Sequence, residues 1–114
     1  TYRFTAAGAD VVTISNAEKF AMIEQPPEEL SLRDIISRLP QVDLVLTEGY
    51  KKSRYPKIEI HRAELHRPLL ADPDELLAIL TDEPVDSPAP QLALSDLNGC
   101  VQVILQYCRD FSAQ

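Results

Sequence analysis

The apolar positions of this chain fall into short periodic runs parted by prolines and polar links, and each run predicts an element. Residues 10–15, Asp-Val-Val-Thr-Ile-Ser, are rich in β-branched side chains and predict a strand. Residues 19–24, Lys-Phe-Ala-Met-Ile-Glu, predict a second, and the short link Asn16-Ala17-Glu18 makes the two a hairpin. Pro26-Pro27 ends this unit. Ser31 is placed to cap a helix whose inner stripe is Leu32, Ile35, Ile36 and Leu39, and Pro40 stops it. Val42, Leu44, Val45 and Leu46 form an apolar run broken only by Asp43. Such a run predicts a strand over 42–47 covered on both faces.

Residues 57–62, Lys-Ile-Glu-Ile-His-Arg, alternate strictly and predict a strand with one exposed face, the face carrying His61. Asp72-Pro73-Asp74-Glu75 opens a short helical turn. Residues 77–80 are a compact apolar run, expected as a central strand. Pro84, Pro88 and Pro90 hold an irregular loop, and residues 91–94 predict a last short strand. Leu97, Cys100, Val101, Ile104, Leu105, Cys108 and Phe111 recur at spacings of three and four, the stripe of an amphipathic helix. Ser95 or Asp96 is its N-cap, and Asn98-Gly99 falls in its first turn. At the other end Tyr2, Ala6 and Ala9 read as the close of a helix, with Gly8 near its C-cap. Strands alternating with helices give an α/β class: a largely parallel sheet with an antiparallel hairpin at one edge.

Composition narrows this picture. A length of 114 residues fits one domain. With 45% hydrophobic and 25% charged residues, the chain is of ordinary globular make-up. The net charge of -7 excludes a broadly basic nucleic-acid surface. No apolar run approaches the roughly 20 residues of a membrane-spanning helix. Cys100 and Cys108 lie about 12 Å apart along a helix, too far for a disulfide. They read as apolar-face residues in a reducing cytoplasm.

Charge is unevenly placed. Between Lys51 and Arg67 six basic residues meet two acids, a net of +4, while the other positions sum to -11. From Pro68 to Asn98 there are seven acids and no lysine or arginine. A basic loop on an acidic chain suits a phosphate or an acidic partner surface.

Two segments carry candidate chemistry. At Glu48-Gly49 an expected buried strand ends in a carboxylate and then a glycine. Ligands of open α/β sheets bind at such strand ends. The carboxylate can hold Mg²⁺ or orient a water. At Thr81-Asp82 a second apolar run ends in polar residues. A carboxylate there accepts the N1–H and N2–H₂ edge of guanine, a donor pair that adenine lacks. Other chemistries find no support: there is no nucleophile-elbow serine and no HExxH pattern. His61 and His66 read as surface residues.

Three stretches together resemble the MobB family, P-loop GTP-binding adaptors of molybdopterin-guanine dinucleotide biosynthesis. The first is Thr1-Tyr2-Arg3 followed by Ala6-Ala7-Gly8-Ala9. The second is Asp43-Leu44-Val45-Leu46-Thr47-Glu48-Gly49-Tyr50-Lys51 with Pro56-Lys57-Ile58-Glu59-Ile60-His61-Arg62, and the third is Ala78-Ile79-Leu80-Thr81-Asp82-Glu83-Pro84. The resemblance implies a P-loop NTPase-like fold lacking here its first strand, phosphate loop and first helix. Residues 1–114 are then expected to be the C-terminal two-thirds of a single domain. It implies Glu48 as the Walker-B-type acid near Mg²⁺ and the γ-phosphate, with Gly49 beside it. It implies Thr81 and Asp82 as the base-reading segment, and Arg3, Lys51, Lys52 and Arg54 as contacts to phosphate or partner. GTP and Mg²⁺ are the implied cofactors of the complete protein, which would be at most a weak GTPase. The implied partners are the guanylyltransferase MobA, a second copy, and molybdopterin or its guanine dinucleotide, with no nucleic acid and no membrane. The chain departs from the family in one respect: it has no Gly-x-x-x-x-Gly-Lys-Ser/Thr, the loop that cradles the β- and γ-phosphates. These residues alone are therefore expected not to bind GTP tightly. The alternative expectation is a non-enzymatic dimerisation or docking module for an anionic cofactor or partner.

Overall fold

The computed structural model describes residues 1–112. The chain divides into two compact units, Thr1–Leu46 and the remainder from Thr47.

The first unit opens with helix α1, Tyr2–Ala6. Its end is closed by two backbone bonds, Gly8 N–H to the Thr5 carbonyl at 3.0 Å and Ala9 N–H to the Phe4 carbonyl at 3.1 Å. This pair satisfies carbonyls that a helix end would otherwise leave open. Strands β1, Val11–Ser15, and β2, Phe20–Glu24, form the expected antiparallel hairpin, with Val12 opposite Ile23 and Ile14 opposite Ala21. Asn16 builds the turn. Its backbone N–H donates to the Lys19 carbonyl at 2.9 Å, and its Oδ1 accepts from the N–H groups of Glu18 and Lys19 at 2.9 and 2.7 Å. Of the hairpin only Val12 is buried, so apolar side chains stand exposed on both faces.

Helix α2, Leu32–Ser37, begins at the expected Ser31. Ser31 Oγ accepts the Asp34 N–H and Asp34 Oδ2 accepts the Ser31 N–H, each at 3.2 Å, a reciprocal cap. Leu32 is buried, and Ile35 and Ile36 are half-buried. Arg38 closes the helix with a 2.8 Å ion pair to Glu24 of β2. The strand expected over 42–47 does not form. Val42, Leu44 and Leu46 are exposed. A parallel strand exists only where neighbours take its N–H and C=O groups, and no described strand pairs with this segment. Apolar character marks the segment for cover without providing it.

The second unit holds the parallel sheet. Strands β3 (Lys57–His61), β4 (Leu76–Thr81) and β5 (Gln91–Ala93) run in the order β3-β4-β5, all parallel. The central strand is the core: Ala78, Ile79 and Leu80 are buried, with Thr81 beside them. The β3-to-β4 crossover carries two 3₁₀ turns, Ala63–Leu65 and Pro73–Glu75, in place of an α-helix. Asp72 caps the second turn as its sequence implies, accepting the Asp74 N–H at 3.2 Å.

Helix α3, Leu97–Ser112, packs on β4. Asp96 Oδ1 accepts the Gly99 N–H at 2.9 Å, which selects Asp96 as the capping side chain. The stripe is displaced from the expected one. Cys100, Val103, Ile104, Tyr107 and Cys108 are half-buried, while Leu97, Val101, Leu105 and Phe111 are exposed. The apolar sector is wider than one narrow sheet can cover, so one edge stays outside. Both cysteines are free and half-buried. A parallel sheet and an antiparallel hairpin are thus both present, as two separate sheets.

Candidate functional site

The first candidate is the turn after Glu48. Gly49 has φ +86° and Tyr50 φ +47°, so two successive residues adopt the left-handed conformation. Glycine enters that region freely, and tyrosine does so rarely. The Ser53 N–H donates to the Tyr50 carbonyl at 2.9 Å and closes a tight turn across Lys51 and Lys52. Glu48, Lys51, Lys52 and Arg54 are all exposed. Among the described residues none of these four carries an ion pair.

Lys57 belongs to the same basic segment and is used differently. Its Nζ donates to the Ser53 carbonyl, to the Tyr55 carbonyl at 3.1 Å, and to Glu75 Oε2 at 2.5 Å. Its side chain is only 16% exposed. One ammonium thus ties the basic turn to the 3₁₀ turn that precedes β4. From Lys51 to Lys57 the basic residues split into one anchor and three free cations, while Arg62 further on pairs with Glu64 at 3.6 Å.

The second candidate lies at the carboxyl ends of β3 and β4. Alternation assigns Lys57, Glu59 and His61 to the outer face of β3. The structure encloses this face as much as the other: Lys57, Ile58, Glu59 and His61 are all half-buried. The His61 side chain is 11% exposed, with Nε2 2.9 Å from Glu83 Oε1, whereas Ile60 is exposed. Glu59 accepts the N–H groups of Leu70 and Ala71 at 2.7 and 2.9 Å. The crossover lies over the polar face and its backbone donors need acceptors there, so the polar residues are enclosed too. His61 is therefore not a free surface residue.

Thr81 and Asp82 are both held. The Thr81 hydroxyl donates to the Glu83 carbonyl at 2.7 Å and accepts the Glu83 N–H at 3.2 Å. Asp82 Oδ1 accepts the Ala63 N–H at 2.8 Å, capping the first 3₁₀ turn from across the sheet end. Beside them opens a cleft of about 460 Å³, lined by His61, Leu69, Leu76, Glu83, Asp86 and Ser87 among others. The cleft is shallow and open to solvent. The structure thus gathers Thr81 and Asp82 with His61 and Glu83, and gathers Gly49, Lys51, Lys52 and Arg54 in one turn. Arg3 lies exposed on α1 in the first unit.

Sequence reasoning missed Glu59, Glu75 and Glu83. The available signal was a polar residue at every second position of β3 with spare acids following in the crossover and after β4. Among the described residues no three histidine, cysteine, aspartate or glutamate side chains converge on a metal-sized point. No described helix is long and apolar enough to cross a membrane.

Comparison with known proteins points one way. The family model described as molybdopterin guanine dinucleotide synthesis protein B matches residues 1–82. The molybdopterin-guanine dinucleotide biosynthesis adapter protein of Haemophilus influenzae is 31% identical over 105 residues, covering 90% of this chain and 57% of the relative. The adapter protein of the same name from Escherichia coli is 28% identical over 114 residues, covering 94% of this chain and 65% of the relative. The chain therefore spans less than two thirds of the length of either relative.

Proposed function

Since this chain belongs to the molybdopterin guanine dinucleotide synthesis protein B family, we propose that it is part of a cytoplasmic adapter that binds GTP with Mg²⁺ and assists the guanylyltransferase MobA. In this reading the complete protein is a homodimer and at most a weak GTPase. Molybdopterin guanine dinucleotide is the compound it helps to form, and molybdopterin or that dinucleotide is its cofactor partner. The observation that carries the reading is the family match running through the Glu48–Arg54 turn. The exposed cations of that turn suit phosphate oxygens or an acidic partner surface.

The residues present fit the nucleotide and its metal in part. Glu48 supplies one carboxylate, and Mg²⁺ needs only one or two beside waters and phosphate oxygens. Gly49 brings backbone close to whatever lies there. Lys51, Lys52, Arg54 and Arg3 would meet phosphate, and the segment from Thr81 to Glu83 would border the base. Within these 114 residues no glycine-rich loop stands ready to cradle the β- and γ-phosphates. Bound Mg²⁺ would neutralise phosphate charge, and Glu48 would hold it through water.

The test uses a longer version of the protein that carries a phosphate loop. Glu48→Ala should abolish the Mg²⁺ dependence of GTP binding and turnover. Unchanged turnover and unchanged Mg²⁺ dependence would remove Glu48 from the site. The 114 residues alone should show no micromolar affinity for GTP by calorimetry.

A second reading rests on Lys51, Lys52 and Arg54, which have no ion-pair partner among the described residues. It makes the chain a docking module. Reversing these three charges should then weaken partner capture while leaving the fold intact, and undiminished capture would dismiss the docking role.

A further inference from the structure

Lys57 belongs to the basic segment but adds little charge to the turn it supports. Its ammonium lies 2.5 Å from Glu75 Oε2, and the two side chains are only 16% and 22% exposed. To a ligand beyond their own separation the two charges largely cancel. What the ammonium contributes is two further donations, to the Ser53 and Tyr55 carbonyls. These carbonyls belong to the residues on either side of Arg54. The Ser53 N–H in turn donates to the Tyr50 carbonyl at 2.9 Å, a bond that spans Lys51 and Lys52. Lys51, Lys52 and Arg54 therefore sit on backbone held at both ends.

The other end of the tie is equally fixed. Glu75 closes the 3₁₀ turn Pro73–Glu75, with its N–H donating to the Asp72 carbonyl at 2.9 Å, and β4 begins at the next residue. Lys57 opens β3 opposite Leu76, whereas Ile58 lies opposite Ala78, so β4 carries one extra residue beside the pair. Irregularities of this kind bend a strand and re-aim its side chains. On the turn itself, Tyr50 has φ +47°. A non-glycine residue keeps that conformation only where its surroundings enforce it.

We propose that Lys57 and Glu75 are positioning residues for a phosphate-binding turn. They touch no ligand; they hold Lys51, Lys52 and Arg54 in one arrangement before a phosphate arrives. The inference rests on the reading that these three cations meet phosphate, and it adds which enclosed pair makes them ready. Cations on a loose loop lose backbone as well as side-chain freedom on binding, and a turn already held has less to lose.

The experiment titrates the isotopically labelled 114-residue chain with inorganic pyrophosphate, following the amides of Lys51, Lys52 and Arg54 by NMR. Replacing the pair together, Lys57→Met with Glu75→Gln, leaves the net charge at -7 and strands no enclosed charge. Pyrophosphate affinity should nevertheless fall by about two- to tenfold, the scale of ordering one rotamer-rich side chain. The heteronuclear NOE of residues 51–54 should fall with it. Lys57→Arg keeps the cation and its donors and should retain most of the affinity. Unchanged affinity or an unchanged NOE in the double variant would overturn the positioning role and leave the phosphate reading of the turn standing. An equal loss in Lys57→Arg would also overturn it, since charge and donors would then not be what the turn depends on. Absence of pyrophosphate shifts in the wild type would instead remove the phosphate reading, and the proposal with it. Should the double variant fail to fold, the wild-type ammonium groups decide. Lys57 should exchange its ammonium protons more slowly than Lys51 and Lys52 in nitrogen-15 spectra, and equal exchange at all three would overturn the proposal.

Discussion

Glu59 shows how much one side chain can organise. Its two oxygens take two consecutive backbone N–H groups of the crossover, at Leu70 and Ala71. Removing them strands both donors over the sheet. Glu59→Ala should lower stability by about 1.5–3 kcal/mol, read as a fall in the urea midpoint, while Glu59→Gln keeps one acceptor and should lose less. Asp34 supplies a pH-dependent case. The side-chain hydrogen bond from Ser31 holds its carboxyl below the ordinary value, helped by Arg38 and Arg33 and opposed by partial desolvation. A carboxyl depressed in the folded state contributes stability above its unfolded pKa of about 3.9, lost as pH falls through the lower folded value. The α2 cap should therefore weaken only in that acid range, and Ser31→Ala should move the Asp34 titration upward in an NMR pH series. Ser31 and Asp34 were legible because a cap is written in adjacent residues. Glu59 was not, since its partners are backbone donors of a loop whose path no pattern reveals.

At the scale of elements, the hairpin, α2, the central β4, the short β5 and α3 follow from periodicity and punctuation. Two failures share a cause. Residues 42–47 are nearly as apolar as β4, yet only β4 has neighbours on both sides. Strand β3 alternates as expected, but its polar residues are enclosed as much as Ile58, and Ile60 is the exposed one. Periodicity reports that two faces differ; which face is covered depends on where the crossover runs. Helix α3 tests the packing of its own start. A Cβ built on Gly99 would lie 2.4 Å from Asp96 Oδ2 and 2.8 Å from its Cγ, so any side chain there displaces the cap. Alanine usually stabilises a helix over glycine by about 1 kcal/mol. Here Gly99→Ala should instead be neutral or destabilising by up to about 1 kcal/mol, because the Asp96 cap is of similar worth. Thermal unfolding of Gly99→Ala beside Asp96→Ala measures this directly, and a clear gain for Gly99→Ala would show that Asp96 adds nothing.

For the chain as a whole, the short list of buried apolar residues stands against long rows of exposed ones. Phe20 and Met22 are exposed on the hairpin, as are Leu97, Val101 and Leu105 along α3. Patches of this kind mark surfaces that other protein covers. The isolated 114 residues should bind an apolar dye and associate with rising concentration in sedimentation experiments. Monodisperse behaviour without dye binding would contradict this exposure. The family was legible in the sequence because its distinctive stretches are contiguous. The site was only partly so. Glu48, Gly49 and the three free cations fall together as the residues imply. The acidic cleft comes from His61 and Glu83, which are far apart along the chain and joined only by parallel pairing of β3 with β4.

That pairing also bears on time. The three parallel strands lie in the sheet in the order in which they occur along the chain, β3-β4-β5, with no other strand threaded between them. Each closure is a modest loop, and closure entropy rises only with the logarithm of loop length. Parallel pairings across such loops still form later than purely local contacts. In refolding followed by pulsed hydrogen exchange, the amides of Ala78, Ile79 and Leu80 should gain protection after those of the local β1–β2 hairpin and helix α3, whose partners are nearer in sequence. The acidic cleft, lined by His61 and Glu83 beside the strand ends and by Leu69 and Pro73 of the crossover, would then mature only once β3 and β4 have paired, before the exposed apolar rows find cover.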